Sequence, residues 1–259
     1  MPETHKIQSR RVFFQGFEGN RLAASLDFPQ QVPPRQYVIA CHCFTCTRQT
    51  LTIARLSRGL AQAGMAVLRF DFSGLGESEG DFSRTHFRSM LADIEGAARF
   101  LAEHHQPARV LVGHSMGGTA CLAASQNGLA ALNSLQSLVT LASPARPAHI
   151  LHHFGPAMPA LRRGENAEIS VAGQAYPVTP GFVADVESYD MDRQMRGCDL
   201  PILAITAEKD ELVAPQAAQD MIAFSRGKSR IYQIEGADHL FSQRHHAEQL
   251  LQAVLEWIF

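Results

Sequence analysis

The segment Arg109-Val-Leu-Val-Gly-His-Ser-Met-Gly-Gly118 joins a short apolar run to a serine flanked by glycines. It reads as a strand that turns sharply into a helix with Ser115 at the apex, the G-x-S-x-G nucleophile elbow. The residue types follow from the geometry. A serine hydroxyl is a poor nucleophile unless it is held away from the backbone, beside a base and facing an anion-binding pocket. An apex between strand and helix provides all three, at the cost of a strained serine backbone. Gly113 and Gly117 let strand and helix pass closely. The new helix aims its first amides at the place where an oxyanion would develop.

Working outward, apolar runs alternate with amphipathic stretches. Arg11-Val-Phe-Phe14 and Leu22-Ala-Ala-Ser-Leu26 flank Glu18-Gly19-Asn20 as a hairpin. Tyr37-Val-Ile-Ala-Cys41 is uniformly apolar, as a strand buried on both faces should be. Residues 49–63 have helical spacing and stop at Gly64. Strands at 65–70, 109–112, 137–142, 202–205 and 229–234 alternate with helices at 85–104, from 116, at 215–225 and at 246–259. This rhythm predicts a single α/β domain over residues 1–259, with a mainly parallel sheet of about eight strands flanked by helices. The first hairpin adds antiparallel strands at one edge.

Residues 145–199 break the rhythm. They carry His149, His152, His153, a small hairpin over 168–178 and a helical stretch at 182–195. A long segment with structure of its own is read as a small cap insertion over the strand ends where ligands bind. His152, His153, Phe154 and Phe182 are its candidate pocket residues.

A serine on such a sheet takes its acid and then its histidine from later strand ends. Asp210, in Thr206-Ala-Glu-Lys-Asp210, follows the strand at 202–205, and His239, in Gly236-Ala-Asp-His239, follows the strand at 229–234. Glu211 and Asp238 are rival acids. Asp238 adjoins His239 in the chain, and neighbouring side chains point apart. The loop His42-Cys-Phe44 after the third strand takes the oxyanion position, so the backbone N–H groups of Phe44 and Met116 are the candidate donors. His42 itself is read as a brace for this loop. Asp71-Phe-Ser-Gly-Leu-Gly-Glu-Ser78 is read as close-packed scaffold, since G-x-G alone is weak evidence for a phosphate cradle.

The net charge is -2 and no Lys/Arg block is present, so neither nucleic acid nor an anionic membrane is an expected partner. Residues 1–11 lack the apolar core of a signal peptide, and no apolar run is long enough to cross a bilayer. A cytoplasmic location is therefore expected. In that compartment the five cysteines should be reduced, and Cys41, Cys43 and Cys46 are read as small thiols. A closed zinc site would need a further ligand and a second C-x-x-C, which the chain does not contain. No metal is expected.

Taken together, Gly-His-Ser-Met-Gly-Gly118, Arg69-Phe-Asp-Phe-Ser-Gly-Leu-Gly-Glu-Ser78, Asp210 with Val213 and Pro215, and Gly-Ala-Asp-His239 resemble the α/β-hydrolase superfamily over essentially the full length. His42-Cys-Phe-Thr-Cys46 and the stretch 68–80 are more narrowly similar to the hydrolase halves of bacterial two-part proteins. The other half of those proteins is an OsmC-like domain, and residues 1–259 hold the hydrolase half only. Cys43 stands where the family usually has glycine after the histidine. The resemblance implies the α/β-hydrolase fold and a serine esterase without cofactor, acting on a small ester or acyl compound. Ser115, Asp210 and His239 would form its triad. Thioester hydrolysis, acyl transfer, C–C bond hydrolysis and a non-catalytic binding role are the other functions this fold supports. Exposed sheet edges leave room for a homodimer.

Overall fold

The structure is a computed structural model that describes residues 4–259. In chain order the elements are β1 (Ile7–Gln15), β2 (Arg21–Pro29), β3 (Tyr37–Cys41), α1 (Leu51–Gln62), β4 (Ala66–Phe70), α2 (Phe87–His104), β5 (Ala108–His114), α3 (Met116–Ser125) and β6 (Ser137–Leu141). They continue as α4 (Met158–Arg162), β7 (Ala167–Val171), β8 (Gln174–Val178), α5 (Pro180–Ser188), α6 (Met191–Gln194), β9 (Ile202–Ala207), α7 (Gln216–Ala223), β10 (Arg230–Ile234) and α8 (Arg244–Ile258). Eight strands form one sheet in the order β1-β2-β4-β3-β5-β6-β9-β10, while β7 and β8 form a separate hairpin. β1 and β2 pair antiparallel with each other, as do β2 and β4; the other strands of the large sheet run parallel. This is the α/β-hydrolase fold.

The central strands read as unbroken apolar runs because helices cover both faces of the sheet. Alternation along each strand divides the core in two. Val38, Ala40, Val67, Val110, Val112 and Leu203 pack with Leu56, Leu60, Leu250 and Val254 of α1 and α8. Ile39, Leu68, Phe70 and Leu111 pack on the other side with Ile94, Leu101, Ala120 and Leu122 of α2 and α3. α3 is apolar all round, since it runs between the sheet and its neighbours.

Element bounds shift where local chemistry overrides periodicity. The first hairpin is nine residues long in each strand, because Gln8, Arg10 and Arg11 extend β1 along its solvent side. The helix expected from residue 85 begins at Phe87. His86 caps it, its Nδ1 accepting from the Ser89 amide at 2.9 Å. The helical stretch expected at 182–195 is two helices, broken at Tyr189, with Asp190 capping the second by accepting from the Arg193 amide at 3.0 Å. Among the described residues no helix is long and apolar enough to cross a membrane.

Candidate active site

Parallel strands end on one edge of the sheet, so the loops after β3, β4, β5, β6, β9 and β10 converge there. Ser115 sits at the end of β5 and in front of α3 with φ 53° and ψ -127°, a conformation that L residues rarely adopt. Its amide donates to the Leu141 carbonyl of β6 at 2.8 Å, which pins the turn. A Cβ on Gly113 would collide with the Gly117–Gly118 backbone. One on Gly117 would collide with the His42 and Cys41 carbonyls. The glycines therefore allow a three-way crossing of β5, α3 and the end of β3.

Asp210 and His239 meet at this edge. His239 Nδ1 donates to Asp210 Oδ2 at 2.8 Å, and both side chains are largely shielded from solvent. Asp210 Oδ1 accepts from the Leu212 and Val213 amides at 2.9 Å each. Burial raises the proton affinity of this carboxyl. The hydrogen bonds from His239 and Val213 outweigh that effect and hold it below its ordinary value. With the proton on Nδ1, Nε2 of neutral His239 carries the lone pair. The rival acids do not reach the ring. Asp238 accepts from the Ser242 amide at 2.9 Å, and Glu211 is exposed at the rim.

Ser115, Met116, His239 and Phe44 line one cleft of about 910 Å³. The segment 145–199 supplies its opposite wall, with His149, His152, His153, Val171 and Tyr176. His152 and His153 thus lie where the sequence reading put them. Phe154 and Phe182 do not line this cleft. They stack on each other at 5.4 Å and pack under Phe44 in the buried core. Aromatic bulk at these positions fills the base of the segment instead of facing solvent.

His42 and His114 are fully buried and neutral. His42 Nδ1 donates to the Cys43 carbonyl at 2.7 Å, and its Nε2 accepts from the Phe72 amide at 3.2 Å. The ring therefore ties the 42–46 loop to the 71–78 loop, and burial lowers its pKa to about 4. His114 Nε2 donates to the His239 carbonyl at 2.8 Å, and burial, reinforced by His239, lowers its pKa to about 3. The elbow strand thus holds the backbone of His239, a link that residue spacing alone does not reveal. Arg48 carries no local sequence signal of its role. Its guanidinium pairs with Asp71 and Glu77, and its amide donates to Asp71 Oδ1 at 2.6 Å. The 42–48 loop and the 71–78 turn are one ionic unit.

The cysteine expectation is overturned at two positions. Cys43 and Cys46 form a disulfide, their Cα atoms 5.3 Å apart. The turn makes this possible: the Cys46 amide donates to the Cys43 carbonyl at 3.2 Å, and Thr45 adopts φ 59°, so both Sγ atoms face the same way. Cys41, Cys121 and Cys198 remain free and buried. Among the described residues, neither the Phe44 nor the Met116 amide donates to another protein group.

Residues 32–171, more than half the chain, match the family model described as serine aminopeptidase, S33. The chain is similar to the esterase domain of a Rhodothermus marinus protein, with 28% identity, a TM-score of 0.76 and coverage of 96% of this chain and 97% of that one. Est1E from Butyrivibrio proteoclasticus, solved with ferulic acid bound, shares the fold at 21% identity and TM-score 0.78, covering 95% and 98% of the two chains. Mouse alpha/beta hydrolase domain-containing protein 10 shares it at 17% identity and TM-score 0.77, covering 96% and 98%. No protein of curated function matches the chain. On a match that runs from the loop before β3 through the elbow to β7, the chain belongs to the serine aminopeptidase S33 family of α/β-hydrolases.

Proposed function

We propose that this protein is a serine esterase that cleaves a small carboxylic ester through an acyl-enzyme. The observation that carries the reading is the meeting of three features in one cleft: the strained Ser115, the His239–Asp210 pair at 2.8 Å, and two unengaged amides at Phe44 and Met116. Ser115 Oγ attacks the ester carbonyl while His239 Nε2 takes its proton. Asp210 keeps the proton on Nδ1 and stabilises the imidazolium as it forms. The Phe44 and Met116 amides receive the oxyanion, whose charge they meet without reorganising. His239 then protonates the departing alcohol and activates a water that releases the acid.

The cleft volume of about 910 Å³ suits a small-molecule substrate, and its walls are mainly apolar. The 28% identical esterase domain supports ester cleavage among the reactions open to this fold. Hydrolysis of p-nitrophenyl esters of graded chain length tests the reading. Ser115→Ala should lower kcat by about 10⁴-fold or more. Turnover within tenfold of the parent protein would refute the assignment.

A further inference from the structure

We propose that Cys43–Cys46 is a reversible redox site that controls the oxyanion hole, with a dithiol as its reductant. The inference rests on the esterase reading, because Phe44, the residue whose amide is the candidate donor, lies inside the disulfide ring. Both cysteines line the cleft. Cys43 is buried and Cys46 half-buried, so an attacking thiolate reaches Cys46 first. The other three cysteines are buried, which confines exchange to this pair.

The loop needs the cross-link. It is anchored at one end by His42, through the Phe72 amide and the Cys43 carbonyl, and at the other by the Arg48 amide on Asp71. Between these anchors the only backbone hydrogen bond within residues 43–46 is the one from Cys46 to Cys43. Thr45 is held at φ 59°, a left-handed conformation that β-branched residues avoid. The Tyr176 hydroxyl lies within hydrogen-bond distance of the Thr45 carbonyl, at 3.1 Å, and of Gln174 Oε1, at 2.8 Å, which brings the turn against the β7–β8 hairpin. With the ring closed, the Phe44 amide has one orientation. With the ring open, Thr45 can return to its preferred conformation, and the amide no longer stays aimed at the oxyanion position.

The exchange balances. A dithiol thiolate attacks Cys46 Sγ, forming a mixed disulfide and expelling Cys43 as a thiolate, which takes a proton from water. The second thiol then attacks the dithiol sulfur of that mixed disulfide, and Cys46 leaves as a thiolate. Two electrons pass to the protein, and the dithiol closes as its own disulfide. Oxidised glutathione runs the step in reverse through a mixed disulfide that the neighbouring cysteine resolves.

The test equilibrates the whole protein in buffers of graded reduced-to-oxidised dithiothreitol ratio. Three readouts follow: thiols counted in denaturant by alkylation and mass, the rate at which a fluorophosphonate probe labels Ser115, and p-nitrophenyl ester turnover. Reduction should raise the count from three thiols to five. Labelling and kcat should fall about tenfold with the same midpoint, less than the roughly 10²–10³ lost when an oxyanion donor is deleted. Oxidised glutathione should restore both. The Cys43→Ser/Cys46→Ser double variant should show the low rates and ignore dithiothreitol. Five thiols in the untreated protein, or equal labelling in both redox states, would overturn the redox site and leave the esterase reading standing. Absence of Ser115 labelling in every state would overturn both.

Discussion

Met116 and Phe44, the two proposed oxyanion donors, are held in opposite ways. Met116 opens α3, and its position follows from backbone packing: the Gly113–Gly117 crossing and the Ser115 amide on Leu141. None of these restraints titrates or exchanges. Phe44 lies in a loop of irregular backbone whose restraints are a disulfide, a neutral buried histidine and the Arg48 ion pairs. The elbow is fixed by the absence of side chains, and the opposing loop by bonds between side chains. A reductant should therefore act on the second half and leave the backbone crossing of the first untouched.

The largest break in this comparison comes from the elbow. Gly117→Ala places a methyl group against the His42 and Cys41 carbonyls, which cannot rotate away. The loop must move, so kcat should fall about 100-fold, and overpacking should cost about 1–3 kcal/mol, or several degrees in Tm. Thermal melts and ester kinetics of the same preparation check it. A variant with parental kcat would show that the crossing is not what positions the site.

Acid should reach the buried histidines next, His42 in the loop and His114 at the end of the elbow strand. His42 and His114 have folded pKa values of about 4 and about 3, against 6.5 when free. A depressed folded pKa means that the unfolded chain binds the proton first. Stability is therefore complete above pH 6.5 and declines as pH falls toward the folded values, by roughly 1.4 kcal/mol per pH unit for each histidine. The groups around His42 work against each other, Asp71 favouring its charged form and Arg48 opposing it, and burial dominates both. Melts should fall from about pH 6.5 down to pH 4, with Asp93, raised by burial to about 6, offsetting part of the loss, and His42→Asn should flatten the slope. An unchanged slope in that variant would remove His42 from the account. Asp210 and Asp27, both held below their ordinary value of 3.8, add a further loss below this range, as pH falls from 3.8 through their folded values.

The smallest effect sharpens the link between the loop and the β7–β8 hairpin. Tyr176→Phe loses the hydrogen bond to Thr45, worth about 1 kcal/mol. KM should rise a few-fold, and Ser115 labelling should be nearly unchanged. A larger effect on labelling than on KM would mean that the hairpin positions the Phe44 amide instead of shaping the wall.

The uniformly apolar runs, the helix between each pair of parallel strands, and the order Ser115, Asp210, His239 are all readable along the chain, because buried parallel strands and glycine-dependent turns leave local signatures. So is the departure at residues 145–199, although Phe154 and Phe182 show how poorly composition separates pocket wall from core. A phenyl ring is equally apolar in both places, and only packing assigns it. The same limit explains the elbow histidine: His114 sits beside the serine in sequence, yet its partner is a carbonyl 125 positions away. The cysteines show the limit most clearly. The spacing Cys43-Phe-Thr-Cys46 is compatible with thiols or a bridge, and the thiols expected for a cytoplasmic chain are a bridge in the structure. The sequence by itself determined the fold class, the elbow and the order of the candidate acid and base. Only the tertiary structure decided how Phe44 is held. The Tyr176 contact with Thr45, the His42 bridge and the Arg48 network are pairings between distant segments, and a chain carries no local record of which distant groups will meet.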